Sequence, residues 1–170
     1  MKIKLEIKLG ILAGILNCIA WYCIAKSFNF YSFNVEQLRY YITLLLLLIG
    51  VPIVIYFERK NNTGFIEFKE AAKCGILYSI ALSILLAIFN YIYYNLMVPD
   101  AIDFFASEAR KSMIEAKVNE DGITKSLEVV KSYFGSFRMF MSTLIMGVIV
   151  SLVAGGLLRK KNPAIPFSAN

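Results

Sequence analysis

The sequence has no histidine and little charge: Asp, Glu, Lys and Arg make up 18% of it, against about 25% in soluble proteins. Without histidine the chain lacks the commonest general base and the commonest metal ligand. Cysteine is scarce and odd in number, at Cys18, Cys23 and Cys74. Cys18 and Cys23 lie five apart on one predicted helix and point in different directions, so neither a zinc site nor a disulfide framework is supported. There is no nucleotide-binding glycine pattern, no Gly-x-Ser-x-Gly elbow and no His-Glu-x-x-His. Asp100 and Asp103 come nearest to a carboxylate pair, and duty at a helix start explains them. The expectation is a non-enzyme: no catalytic, cofactor-binding or metal-ligating residue can be named, and no cofactor is implied.

What the sequence has in excess is apolar surface. Residues from AVILMFWYC form 58% of the 170, more than a soluble domain of this length can hide, because small domains bury the smallest fraction of their chain. A bilayer can take it. Four apolar runs stand out, Leu9 to Ala25, Tyr40 to Phe57, Gly75 to Met97 and Met139 to Leu158, and none contains Asp, Glu, Lys or Arg. Each is long enough to cross a hydrocarbon core as a helix, and backbone groups unpaired in lipid exclude open strands. The predicted fold is all-α: a polytopic membrane protein with four transmembrane helices, forming a single membrane domain over residues 1–170. Lys2, Lys4 and Lys8 before the first run could open a secretory signal. No small-x-small cleavage site follows, and no small residue precedes Cys18 or Cys23 as a lipoprotein signal requires, so the first helix reads as retained.

Charge sets the expected orientation. The N-terminus, the 58–74 connection and the tail after Leu158 carry ten basic residues against four acidic, a net +6. The 26–39 connection and the 98–138 segment carry eight of each, a net of zero. Basic residues concentrate on the cytoplasmic side, so both termini are expected to be cytoplasmic and 98–138 outside, as in a bacterial inner membrane. The cations flank helix ends, where they meet anionic headgroups. A nucleic-acid partner would need a basic stripe with base-reading groups, and none is present.

Residues 98–138 alone have the composition of a water-soluble structure. Ile102, Phe105, Ala109, Met113 and Ala116 form an apolar helical stripe, with Pro99 in the first turn. Asp121-Gly122 breaks the pattern, and a second helix is predicted from Thr124 with Leu127, Val130 and Phe134 as its stripe. This amphipathic, extracytoplasmic helical hairpin either links spans three and four or docks a partner. In the 61–74 connection, Phe65, Phe68 and Ala72 share one side, which suits the membrane interface.

Within the spans, rows of small residues at four-residue spacing mark packing faces: Gly10, Gly14 and Cys18; Gly75, Ser79, Ser83 and Ala87; Gly147, Ser151 and Gly155. Packing within the chain explains them, with homo-oligomer contacts as the alternative. Pro52 is expected to bend the second span. Intramembrane charge would be a functional signal by default, and the four runs have none. The polar residues of most interest are Asn17 and Asn90. Aromatics crowd the outer ends of the spans, Trp21, Tyr91 and Tyr94 among them. An interfacial belt is the default reading; a pocket for a lipid, isoprenoid or quinone is the sharper one. Asn17, Trp21, Asn90, Tyr91 and Tyr94 are therefore the candidate contacts for a lipid or polar headgroup.

Several segments occur in a telling order. They are Gly10 and Gly14; Arg59-Lys60 followed by Thr-Gly-Phe-Ile-Glu-Phe-Lys-Glu-Ala (63–71) into Gly75; and Tyr-Tyr-Asn-Leu-Met-Val-Pro-Asp (93–100). The soluble insert follows, then Gly147 to Lys161 closing on Arg-Lys-Lys-Asn-Pro (159–163). In these the chain resembles, over nearly its whole length, a bacterial family of small four-helix membrane proteins known only as a domain of unknown function. The resemblance implies a fold and a topology and assigns no functional residue. The leading expectation is a structural or accessory subunit acting through helix packing and its outer hairpin, with membrane lipids and a larger membrane protein or a second copy as partners. The alternative is a small transporter or lipid- or isoprenoid-binding module, accessory to a polyprenyl-phosphate glycosyltransferase.

Overall fold

The computed structural model describes residues 4–28 and 30–160. Lys2 and Lys161 of the charge tally, and the Asn162-Pro163 end of the last motif, lie outside them. Among the described residues six α-helices follow one another: α1 (Leu5–Phe28), α2 (Phe33–Asn61), α3 (Phe68–Ile92), α4 (Ala101–Glu115), α5 (Glu120–Tyr133) and α6 (Ser136–Leu158). A π-helical turn, Tyr93–Met97, extends α3. The stretches Leu5–Phe28, Asn34–Asn61, Phe68–Met97 and Ser136–Leu158 are long and apolar enough to cross a membrane.

All four helices outrun the apolar stretches that announce them, because helix propagation does not stop at the first charge. Lys and Arg extend a helix almost as readily as Leu. The start of α3 is fixed by a capping box, in which Glu67 N–H donates to Glu70 Oε2 at 3.4 Å. Beside it Ile66, 2% exposed, exchanges two backbone hydrogen bonds with Lys160 at 3.0 and 2.9 Å, tying the start of α3 to the end of α6. Ile66 rather than Phe65 or Phe68 is thus the buried anchor of this connection. α2 continues as one helix through Pro52.

Two ends of the bundle can be told apart. Along the bundle α3 packs most extensively on α6 and next on α1; one end carries Lys4, Arg59, Lys69 and Lys160 and is the basic end. Small residues make this close. Gly75 faces Ser151 and Val51, Gly147 faces Ser79, and Gly155 lies against the backbone of Ala72. On the α1 side Gly10 lies on the Tyr78 carbonyl and Gly14 on Leu85, while Gly50 admits the Tyr78 ring, whose hydroxyl donates to the Leu46 carbonyl at 3.1 Å.

The opposite, hairpin end is built differently. Trp21, Ala25, Val35, Tyr93, Tyr94, Val98, Ala101, Phe105 and Phe134 form its core. α4 and α5 form a helical hairpin that rests on this core through Phe105 and Phe134, stacked at 5.2 Å, with Tyr94 edge-on to Phe134 at 5.0 Å. Two details of the expected hairpin change. Its bend lies at Lys117, in the left-handed region at φ 56°, and Asn119 caps α5 by accepting from Gly122 N–H at 2.8 Å. Asp121 and Gly122 therefore sit inside the first turn of α5, which starts at Glu120 rather than Thr124 and buries Ile123 as well. Pro99 precedes the Asp100 cap position of α4 instead of occupying its first turn.

Candidate functional site

The hairpin end encloses the most polar interior of the molecule. Glu36 and Arg39 stand one turn apart on α2 with side chains 5% and 1% exposed and Arg39 Nη2 3.2 Å from Glu36 Oε2. The second carboxylate oxygen accepts from the Tyr94 hydroxyl at 2.5 Å. Arg39 Nη1 donates to Asn90 Oδ1 at 2.9 Å, and Nη2 to the Tyr40 hydroxyl at 3.2 Å. The guanidinium also lies over the Trp21 ring, 4.6 Å from its centroid, and 5.0 Å from that of Tyr40. Asn90 in turn donates to the Phe134 carbonyl at 2.8 Å, joining α3 to the hairpin's exit. Asn17 donates to Thr43 Oγ1 at 2.8 Å, and Thr43 donates to the Arg39 carbonyl at 2.9 Å.

The cluster thus links α1, α2 and α3 to the hairpin's exit, and one arginine is its hub. Local structure explains why. Val35, Glu36, Arg39 and Thr43 recur at helical spacing on one face of α2. On α3, Asn90, Tyr93 and Tyr94 fall on the inward face. The π turn, closed by Val98 N–H to the Tyr93 carbonyl at 2.8 Å, shifts the following residues so that Val98 and Ala101 also point inward. The Trp21 and Tyr93 rings lie 4.1 Å apart, tilted by 38°.

Of the residues singled out in the sequence, Asn17, Trp21, Asn90 and Tyr94 come together here. Tyr91 does not: one residue past Asn90 it is turned about 100° away and is 58% exposed. Sequence reasoning missed Glu36 and Arg39, which it placed in a connection between spans. They belong to α2 and are buried. Their presence overturns the expectation that no charge lies inside the helical bundle. The available signal was their i, i+3 spacing with opposite sign, which lets one helix neutralise its own charges. Removing the pair from the loop tally takes away one charge of each sign, so the net balance is unchanged.

Among the described residues, five buried side-chain polar atoms have no hydrogen-bond partner: Asn17 Oδ1, Trp21 Nε1, Glu36 Oε2, Arg39 Nε and Tyr93 Oη. All belong to this cluster. Glu36 Oε2 has its ion-pair partner in Arg39; buried polar groups are ordinarily paired, so the four that remain in one place mark it as a site. At its rim, partial burial and then a hydrogen bond with Tyr40 push the Tyr133 phenol above its ordinary value. On the exposed side of α4, Glu108 raises the Lys111 ammonium by accepting its hydrogen bond at 2.6 Å. No three of the Cys, Asp and Glu side chains lie together among the described residues.

Residues 8–160 match the family described as protein of unknown function DUF4199. The chain belongs to the DUF4199 family. No curated protein and no solved structure matches it. The DUF4199 match spans every element that builds the cluster, from Asn17 on α1 to the start of α6. As the family description assigns no activity, any function rests on the chemistry of the site itself.

Proposed function

We propose that the chain is a non-enzymatic integral membrane protein, a structural or accessory subunit that presents its α4–α5 hairpin to a larger membrane partner. The observation that carries this reading is the clamp under the hairpin. Asn90 holds the Phe134 carbonyl, Phe134 seats on Tyr94 and Phe105 stacks on Phe134, so the hairpin is preorganised rather than loosely tethered. Its far face keeps Ile114, Val118 and Val129 exposed, apolar groups available to a neighbour. A rigid surface loses less freedom on association than a mobile one. The absence of histidine from the sequence speaks for a role without general-base chemistry.

The topology we assign puts both termini on the cytoplasmic side of a bacterial inner membrane and the hairpin outside. It is supported by the excess of basic residues at the end opposite the hairpin. Homo-oligomer formation is the alternative to a different partner. Mild detergent extraction with crosslinking from an engineered Ile114→Cys is expected to retain one defined partner. An unattached monomer under every crosslinker would refute the accessory role.

A second reading, a small transporter or a lipid- or isoprenoid-binding module, is favoured by the four buried polar atoms left without a partner, Asn17 Oδ1, Trp21 Nε1, Arg39 Nε and Tyr93 Oη. Partnership with a polyprenyl-phosphate glycosyltransferase would join the two readings. Identifying the co-purified protein tests it.

A further inference from the structure

Beside the polar cluster the bundle opens sideways. Between α2 and α6 a groove of about 160 Å³ is lined by Tyr40, Thr43, Leu44, Leu47, Thr143 and Met146, among others. Leu44, Leu47 and Met146 make its lower course apolar, whereas hydroxyls gather at the end nearer the hairpin. Two of those hydroxyls belong to the cluster. Thr43 accepts from Asn17 at 2.8 Å, and Tyr40 accepts from Arg39 at 3.2 Å. The groove and the orphaned polar atoms are therefore one hydrogen bond apart.

Charge selects among possible occupants. Glu36 and Arg39 neutralise each other, so an ionic head brought against them would leave one charge uncompensated in apolar surroundings. The groove's own lining carries the hydroxyls of Tyr40, Tyr41, Thr43, Ser142 and Thr143, groups that supply donors as well as acceptors. A hydroxyl both donates and accepts and can serve either kind. The groove's volume suits a short stretch of acyl or prenyl chain rather than a whole lipid.

We infer that this groove is a binding site for one neutral amphiphile. Its uncharged, hydroxyl-bearing head lies at the Tyr40–Thr43 end, and the first part of its chain runs along Leu44, Leu47 and Met146. The inference is independent of the accessory role. It rests on the lipid-binding reading and deepens it by naming the site and the class of head.

The test uses the full chain in phosphatidylcholine nanodiscs doped with dioleoylglycerol or with dioleoylphosphatidylglycerol, released into mild detergent and weighed by native mass spectrometry. Dioleoylglycerol is expected to stay bound at one molecule per chain, about tenfold in preference to the anionic lipid. Thr43→Val, which removes one hydroxyl, should lower retention about five- to tenfold. Met146→Phe fills the groove from a position outside the hydrogen-bonded cluster, so it should abolish retention while melting like the wild type. Trp21 is the chain's single tryptophan and sits in the cluster, so its emission should shift saturably with dioleoylglycerol and not in Met146→Phe. Preference for phosphatidylglycerol, lost in Met146→Phe, would overturn the neutral head while sparing the lipid-binding reading. Retention of neither lipid would overturn both, whereas equal retention in the groove-filled variant would overturn the groove as the site while sparing the lipid-binding reading.

Discussion

The two ends of the bundle hold the same four helices together by different means. At the basic end, glycine and serine bring backbones close, and dispersion does the work: Gly147 on Ser79, Gly75 on Ser151, Gly155 on Ala72. At the hairpin end, large aromatics keep the helices apart, and a buried arginine with its carboxylate, amide and hydroxyl partners fills the gap. In lipid there is no hydrophobic drive between helices, so close packing and interhelical hydrogen bonds are the two devices that remain. This chain uses one at each end. The first tolerates no added volume, and the second tolerates no lost partner. The ends should therefore fail in different ways.

The largest effect is expected at Arg39. Arg39→Met leaves Glu36 buried without its counter-charge, a loss of about 3–5 kcal/mol, to be read from denaturing-detergent titration of the purified protein. The double variant Glu36→Leu/Arg39→Met removes both charges and should recover much of it. If the single change proved as mild as a surface substitution, the hub would not be structural.

Next comes Asn90→Leu, which strips the Phe134 carbonyl of its donor and Arg39 of an acceptor. A loss of about 2–3 kcal/mol is expected, as for two buried bonds. Hydrogen exchange should rise across α4 and α5 while the α3–α6 contact at Gly75 and Gly147 stays protected. Uniform deprotection of both ends would erase the distinction between them.

A smaller effect, about 1–3 kcal/mol from overpacking, is expected at the other end from Gly147→Ala, whose added methyl collides with Ser79. Ser79→Gly in the same chain should restore most of the stability, because it returns the lost volume from the facing helix. Lack of rescue, measured by the same titration, would mean that contact is not limiting. The smallest effect belongs to Tyr91→Leu. Exposed beside the cluster, it should change stability by no more than about 0.5 kcal/mol, and a larger change would place Tyr91 in the site after all.

Much of this architecture is legible in the sequence because lipid is a demanding solvent. Four uncharged apolar runs, each long enough to span, leave few alternatives to helices, and among the described residues four helices are long and apolar enough to cross a membrane. The spacing of Gly75, Ser79, Ser83 and of Gly147, Ser151, Gly155 could be read directly, since four-residue repeats share a helix face. The candidate site was half legible. Asn17 and Asn90 stand out as amides among leucines, and both belong to the cluster. Tyr91 was indistinguishable from Tyr94 by composition, and only helical phase separates them. Glu36 and Arg39 were hidden because a hydropathy run ends at the first charge. The rule registers the cost of an isolated charge and is blind to a pair that neutralises itself. The start of α5 was misplaced for a related reason: Asp121-Gly122 reads as a breaker, but Asn119 supplies the cap that lets both enter a first turn.

The pairing of Glu36 with Arg39 within one helix bears on how the protein is made. Opposite charges on separate helices would each have to enter the bilayer unescorted and wait for the other. Charges three residues apart on α2 meet as soon as that helix forms, so the cost of immersion falls before α3 arrives. The bonds from Asn90 and Tyr94 reach the pair only when α3 joins, and the Phe134 carbonyl is secured only after the hairpin has emerged from the ribosome. Biogenesis can thus run in chain order, with the self-neutralised segment following α1 and its remaining polar partners added as each later segment is synthesised.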